Sequence, residues 1–257
     1  MKKRVVLYVV FGLVFYLLFL IIEMPAAWFA WGLNQYSHGA VRLDPITGSL
    51  WQGKGRLVIY YPQTTPHDLG QAEWSINPFW LLTGSVQLTL QTNTPERQIK
   101  TTLGITKGSL SLKDTNAAFP AAFVSQLYPP ATLIGPQGQV RLRTSNLIFG
   151  QQTLGGSATL EWQGAGSSLS NVQPLGDYRL EITGDGNAAN LKLTTVSGPL
   201  ALDGQGKWQL RDGQLQINGT AVPRERAVEL EPLLKLLGPD LGNGRRALAL
   251  AMRLSIQ

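Results

Sequence analysis

Two patterns of apolar residues divide the chain. From Val5 to Ile22, eighteen consecutive residues carry no charge and include seven Leu or Ile among Val, Phe, Tyr and Gly. That run predicts one helix about 27 Å long, close to the thickness of a bilayer's hydrocarbon core. From Ala40 onward the pattern changes to period-2 alternation in short stretches opened by glycine, which predicts half-buried antiparallel strands. Such stretches include Leu57–Tyr60, Val86–Leu90, Leu110–Leu112, Val140–Arg143, Tyr178–Ile182, Leu191–Leu193, Leu200–Leu202, Leu215–Ile217 and Leu248–Leu254. Each gives a strand one apolar face and one face of Gln, Thr, Arg, Lys or Ala, because side chains alternate across a strand. Asp185-Gly186, Asp203-Gly204, Asp212-Gly213 and Asn218-Gly219 are residue pairs that accept positive φ, and they predict tight hairpin turns. The expected fold is mainly β, a curved and mostly antiparallel sheet with one or two short helices.

The alternation lapses twice. Between Asp114 and Leu127 an Ala-rich segment predicts a short helix starting at Pro120, with Asp114 and Asn116 as N-cap candidates and Pro129-Pro130 beyond its end. Near the end, Leu230, Leu233, Leu234 and Leu237 follow helical spacing, Pro232 suits a first-turn position, and Gly238-Pro239 stops the segment. That helix should cover part of the apolar sheet face. Glycine followed shortly by tryptophan recurs at Gly70 to Trp74, Gly156 to Trp162 and Gly206 to Trp208. Two related strand sets, about 46–113 and 138–220, are the expectation, with the proline-rich joint at 119–136 between them.

Charge orients the apolar run. Lys2, Lys3 and Arg4 precede it, which places the N-terminus in the cytoplasm by the positive-inside rule, and Glu23, Trp28 and Trp31 fall where headgroups would lie. Met24 to Trp31 are expected to lengthen the helix at the interface. Residues 1–31 then form a cytoplasmic basic tip, anchor and interfacial segment, and 32–257 an exported β-rich domain. Ala27-Trp28-Phe29-Ala30 loosely fits a signal-peptide cleavage site, but the apolar run exceeds the usual ~7–15-residue core and the flanking rings are bulky, so an uncleaved anchor is the reading taken.

Composition narrows the chemistry. The net charge is +6, and removing Lys2, Lys3, Arg4 and Glu23 leaves 19 basic against 15 acidic residues, thinly spread, with no nucleic-acid footprint. Cysteine is absent, which removes thiolate and redox chemistry. His38 and His67 are the only histidines and stand in loop-like contexts, so neither a zinc helix nor a Ser-His-Asp set is supported. Gly184-Asp185-Gly186-Asn187-Ala188-Ala189 matches a dinucleotide fingerprint, but a strand follows where phosphate capture needs a helix. Asn218-Gly219-Thr220 reads as turn chemistry, and Glu225 with Glu229 as a solvated helix face. No catalytic, cofactor-binding or metal-ligating residue is assigned. Trp51, Trp74, Trp80, Trp162 and Trp208 are expected to fill cores.

The order of these features resembles the type II secretion system protein N family (general secretion pathway protein N). The resemblance rests on the basic start and single anchor, Gly48-Ser49-Leu50-Trp51-Gln52-Gly53-Lys54-Gly55, Trp74-Ser75-Ile76-Asn77-Pro78-Phe79-Trp80-Leu81-Leu82-Thr83-Gly84, and Glu229 to Gly238. It covers nearly the full chain. What it implies is a single-pass bacterial inner-membrane protein with a periplasmic domain. Such a protein is an accessory, non-catalytic part of the machine that exports folded proteins across the outer membrane of Gram-negative bacteria. Its partners would be other inner-membrane and periplasmic components of that system, and the bilayer through the N-terminal helix. The motifs also suit the broader AsmA-like class, which implies a partly open barrel or U-shaped sheet and, as the alternative function, binding or transfer of envelope lipid.

Overall fold

The N-terminal apolar run folds as one helix, α1 (Lys2–Ile22). Its described side chains, among them Phe11, Phe15, Tyr16 and Ile22, are exposed. In the computed structural model residues 2–60, 67–94, 97–127 and 129–253 are described. Among the described residues no helix is long and apolar enough to cross a membrane; the side chains of residues 2–7, 9 and 18 lie outside that description. Met24 to Trp31 do not lengthen α1. Pro25 lacks an amide hydrogen and bridges to Ser49, and a separate helix, α2 (Ala27–Tyr36), begins after it.

The chain divides into two units, residues 1–94 and 95–257. In the first, β1 (Val41–Gly48), β2 (Gln52–Ile59), β3 (His67–Ile76) and β4 (Val86–Thr94) pair in sequence order, all antiparallel. Leu43 lies opposite Leu57, Gly55 opposite Ala72, and Gly53 opposite Trp74. Leu43, Leu57, Ala72 and Trp74 are buried, as is Ala26 from the joint between α1 and α2.

The second unit contains β5 (Arg97–Thr106), β6 (Ser109–Pro120), β7 (Pro136–Gly150), β8 (Leu154–Ser167), β9 (Gly176–Asp185), β10 (Ala188–Ser197), β11 (Leu200–Gln209) and β12 (Gln214–Pro223). These pair consecutively and antiparallel, the expected meander. After β12 come α4 (Ala227–Leu237), β13 (Asp240–Gly242) and β14 (Arg245–Arg253), and β14 pairs with β12 before β13. The period-2 reading holds along these strands: Leu191 is buried while its neighbour Lys192 is exposed. Leu142, Leu160, Leu180 and Leu193 line up across β7 to β10 on the apolar face. On the opposite face Arg141, Glu161 and Arg179 line up, with Arg179 Nη2 3.1 Å from Glu161 Oε1.

Several expectations need correction. Ala117 to Pro120 belong to β6, which is hydrogen-bonded to β5 on one side and β7 on the other, and two ladders outweigh alanine's helical preference. Asp114 and Asn116 therefore cap nothing; Asp114, at φ 48°, marks a bulge where the β5–β6 register slips. The helix starts one residue after Pro120, as a 3-10 turn at Ala121–Phe123 followed by α3 (Val124–Leu127). In α4, Pro232 sits well inside the helix rather than in its first turn, because the helix opens at Ala227; Gly238 ends it as expected.

Asp185-Gly186 and Asp212-Gly213 do turn the chain, but Asp203-Gly204 and Asn218-Gly219 lie inside β11 and β12. Gly204 faces Gly219 across that ladder, and a Cβ on Gly219 would collide with the Asp203 carbonyl and the Gly204 Cα. These glycines serve close strand approach, not positive φ.

Among the described residues two clusters of buried side chains stand out. Leu230, Leu233 and Leu234 of α4 join Val172, Leu175, Leu200 and Ala221, with Leu202 and Leu237 packed on. Leu147, Leu154, Ala158 and Ala189 form the other, flanked by Phe149, Ile182 and Trp208.

Candidate functional site

Groups that could carry catalysis do not assemble. Among the described residues no three His, Asp or Glu side chains could hold a metal ion. His38 is exposed in the turn before β1, and His67 opens β3 opposite Ile59, its side chain outside the described residues. Gly184 to Ala189 form the β9–β10 hairpin, so the fingerprint match has no helix N-terminus behind it. Glu229 pairs with Arg226 rather than with Glu225, and that guanidinium holds its carboxyl below the usual range.

The most elaborately built place in the first unit is the joint between the helices and the β1–β2 turn. Leu50 N–H donates to the Met24 carbonyl at 2.7 Å, and Ala26 N–H to the Gly48 carbonyl at 3.2 Å. Trp51 reaches the last turn of α1, its indole N–H donating to the Ile21 carbonyl at 2.7 Å. Carbonyls at a helix C-terminus lack i+4 partners, and the Ile21 carbonyl takes this bond beside a longer one from Met24 N–H at 3.4 Å. Trp74 donates from its indole to the Leu50 carbonyl at 3.2 Å, and Phe29 of α2 stacks on it at 4.7 Å between centroids. Gly53 makes this possible: a Cβ there would strike the Trp74 ring. Gly48, at φ 102°, turns the chain into the joint. The joint can therefore transmit the position of α1 rigidly to the strands.

Beside it, β3 leads into a 3-10 turn at Pro78–Thr83. Ile76 N–H donates to the Trp51 carbonyl at 2.6 Å, tying the start of this turn to the same residue that grips α1. Trp80 is not in a core as the sequence reading expected. It is 46% exposed, and Phe79 and Leu82 are 76% and 85% exposed.

In the second unit, α4 covers one end of the apolar face, while Leu142, Leu160, Leu180 and Leu193 remain half-buried and Ile105, Leu110 and Leu250 exposed. A hollow of about 780 Å³ opens on the polar face, where Glu181, Lys192, Gln205, Lys207, Gln216 and Asn218 line it.

The family model of the type II secretion system (T2SS), protein N, matches residues 39–249, most of the chain. The chain belongs to the type II secretion system protein N family. No curated protein and no solved structure matches it. In this protein N family member the two tryptophan motifs fall within the matched span, and both converge on the joint: Gly48 to Gly53 form its turn, and Trp74 fills it. Sequence reasoning found these motifs without finding their purpose. The available signal was the pairing of Gly53 with an indole, which only the β2–β3 register makes visible.

Proposed function

We propose that this protein is an accessory of the type II secretion system that works through protein–protein contacts and is held in the inner membrane by α1, with the N-terminus cytoplasmic. The observation that carries the reading is the match to protein N across residues 39–249, a family of secretion components. Supporting it, Val5 to Ile22 are uncharged behind Lys2, Lys3 and Arg4, and the strands that follow, in two related halves on this reading, suit the periplasm. The joint gives such an anchor a mechanical meaning. Confining the strands at the membrane raises their effective concentration toward partners in the same membrane, and a rigid connection fixes which surface they present.

A second reading, lipid binding of the AsmA-like kind, is favoured by the half-buried row of Leu142, Leu160, Leu180 and Leu193 on the apolar face. Against it stands the lining of the 780 Å³ hollow, where Glu181, Lys192 and Lys207 put charge rather than a continuous apolar wall. A deletion strain separates the two. On the secretion reading, type II exoproteins accumulate in the periplasm and the wild-type chain, or one carrying His38→Asn or Asp203→Asn, restores export. Normal export together with altered outer-membrane lipid and stoichiometric co-purified phospholipid would select the lipid reading.

A further inference from the structure

The Pro78–Thr83 turn combines three properties that an ordinary surface turn does not. Its side chains are the wrong ones for water: Phe79, Trp80, Leu81 and Leu82 are consecutive and all exposed. Its charge is nil, and no charged residue occurs from Trp74 to Thr94. Several of its backbone groups are satisfied from within. Asn77 Oδ1 accepts from Phe79 N–H at 3.1 Å, and Gly84 N–H reaches the Leu81 carbonyl. The Trp80 carbonyl accepts from Thr83 Oγ1, Ser85 Oγ and Ser85 N–H. In hydrocarbon each unsatisfied backbone group costs several kcal/mol, so internal satisfaction is the condition for a non-helical segment to enter lipid.

Its place in the fold supplies the fourth observation. β3 ends where the β1–β2 turn lies, with Ser75 opposite Gln52, and Ile76 is bonded to Trp51, whose indole holds Ile21 at the end of α1. Two hydrogen bonds therefore separate the apolar turn from the point at which α1 leaves the strands. Trp28 and Trp31 on the first turns of α2 are exposed at this end too, ring edge to ring face at 6.3 Å. Aromatic rings at this level match the interfacial belt of membrane proteins.

We propose that the Pro78–Thr83 turn is a second membrane contact, a rigid wedge that seats Phe79, Trp80, Leu81 and Leu82 at the headgroup–acyl boundary of the bilayer that α1 enters. This rests on the reading of α1 as a membrane anchor. With one helix alone the tilt of α1 in the bilayer, which the joint passes on to the strands, has nothing to set it; a second contact fixes that tilt. Its occupant is phospholipid rather than a protein partner, because the turn is continuous with the anchor's own exit point.

The chain contains no cysteine, so single cysteines report without interference. Full-length protein carrying Leu82→Cys, Phe15→Cys or Tyr36→Cys is labelled with an environment-sensitive fluorophore in phosphatidylethanolamine–phosphatidylglycerol vesicles. The lipids carry a nitroxide either just below the headgroup or near the acyl-chain end. Tyr36 closes α2, about 15 Å along that helix from the joint, and is 90% exposed. The Leu82 probe should lose about half or more of its emission to the shallow nitroxide, the Phe15 probe should be quenched by the deep one, and the Tyr36 probe by neither. A quenched Phe15 probe with an unquenched Leu82 probe overturns the wedge and leaves the anchor standing. An unquenched Phe15 probe removes the anchor, and then quenching at Leu82 alone would show the wedge acting by itself, whereas quenching at neither removes both.

Discussion

Three tryptophans of one short region have three different roles, and the difference is set by which strand face and which neighbour each meets. Trp74 is buried beneath Phe29 with its N–H satisfied, Trp51 grips a helix end, and Trp80 faces outward. Trp74→Ala should cost about 3–5 kcal/mol, the usual loss for a large buried ring, whereas Trp80→Ala should stay within about 0.5. Urea unfolding of the two variants in the same detergent checks this, and equal losses would remove Trp74 from the role given to it. A second residue ties stability to pH. Burial raises the phenol of Tyr178 well above its ordinary 10.0, and its hydroxyl donates to the Leu200 carbonyl at 2.9 Å. A raised pKa in the folded state means the stabilisation is complete below about 10 and is lost as pH climbs beyond it. Tyr178→Phe should lower neutral-pH stability by about 1 kcal/mol and flatten the alkaline decline, read from unfolding midpoints at pH values up to about 11.

At the scale of elements, alternation made the strands legible because one face of each is apolar and the other polar. What it misplaced had physical reasons. Asp203-Gly204 and Asn218-Gly219 resemble turn pairs because glycine usually signals positive φ, yet here glycine is required where a Cβ would meet the opposite backbone. Ala117 and Ala118 resemble helix, but ladders to β5 and β7 are tertiary facts that no local window contains. α4 was legible from Leu230, Leu233, Leu234 and Leu237, while its start was not, since Arg226 precedes it in a left-handed conformation without a side-chain cap. The joint was legible as two motifs and invisible as a contact, because Trp51 and Ile21 are thirty residues apart. The alternation itself is open to test in β10. Leu191→Asp places an unpaired charge in a buried position and should cost several kcal/mol, against under about 1 for Lys192→Asp next to it. Comparable losses in thermal unfolding would mean that the strand's faces have been assigned wrongly.

At the scale of the whole molecule, a chain of the protein N family carries a helix, α1, ahead of its antiparallel strands. On the proposed reading such a protein acts through what it touches, so its partners are the central claim. Chemical cross-linking in intact secreting cells, followed by capture of the full-length chain from solubilised membranes and mass spectrometry, tests that claim most directly. The account predicts that inner-membrane and periplasmic components of the type II system are enriched in cross-linked adducts, relative to membranes from cells in which the secretion genes are not expressed. Capture of stoichiometric phospholipid with no secretion component above that background would contradict it.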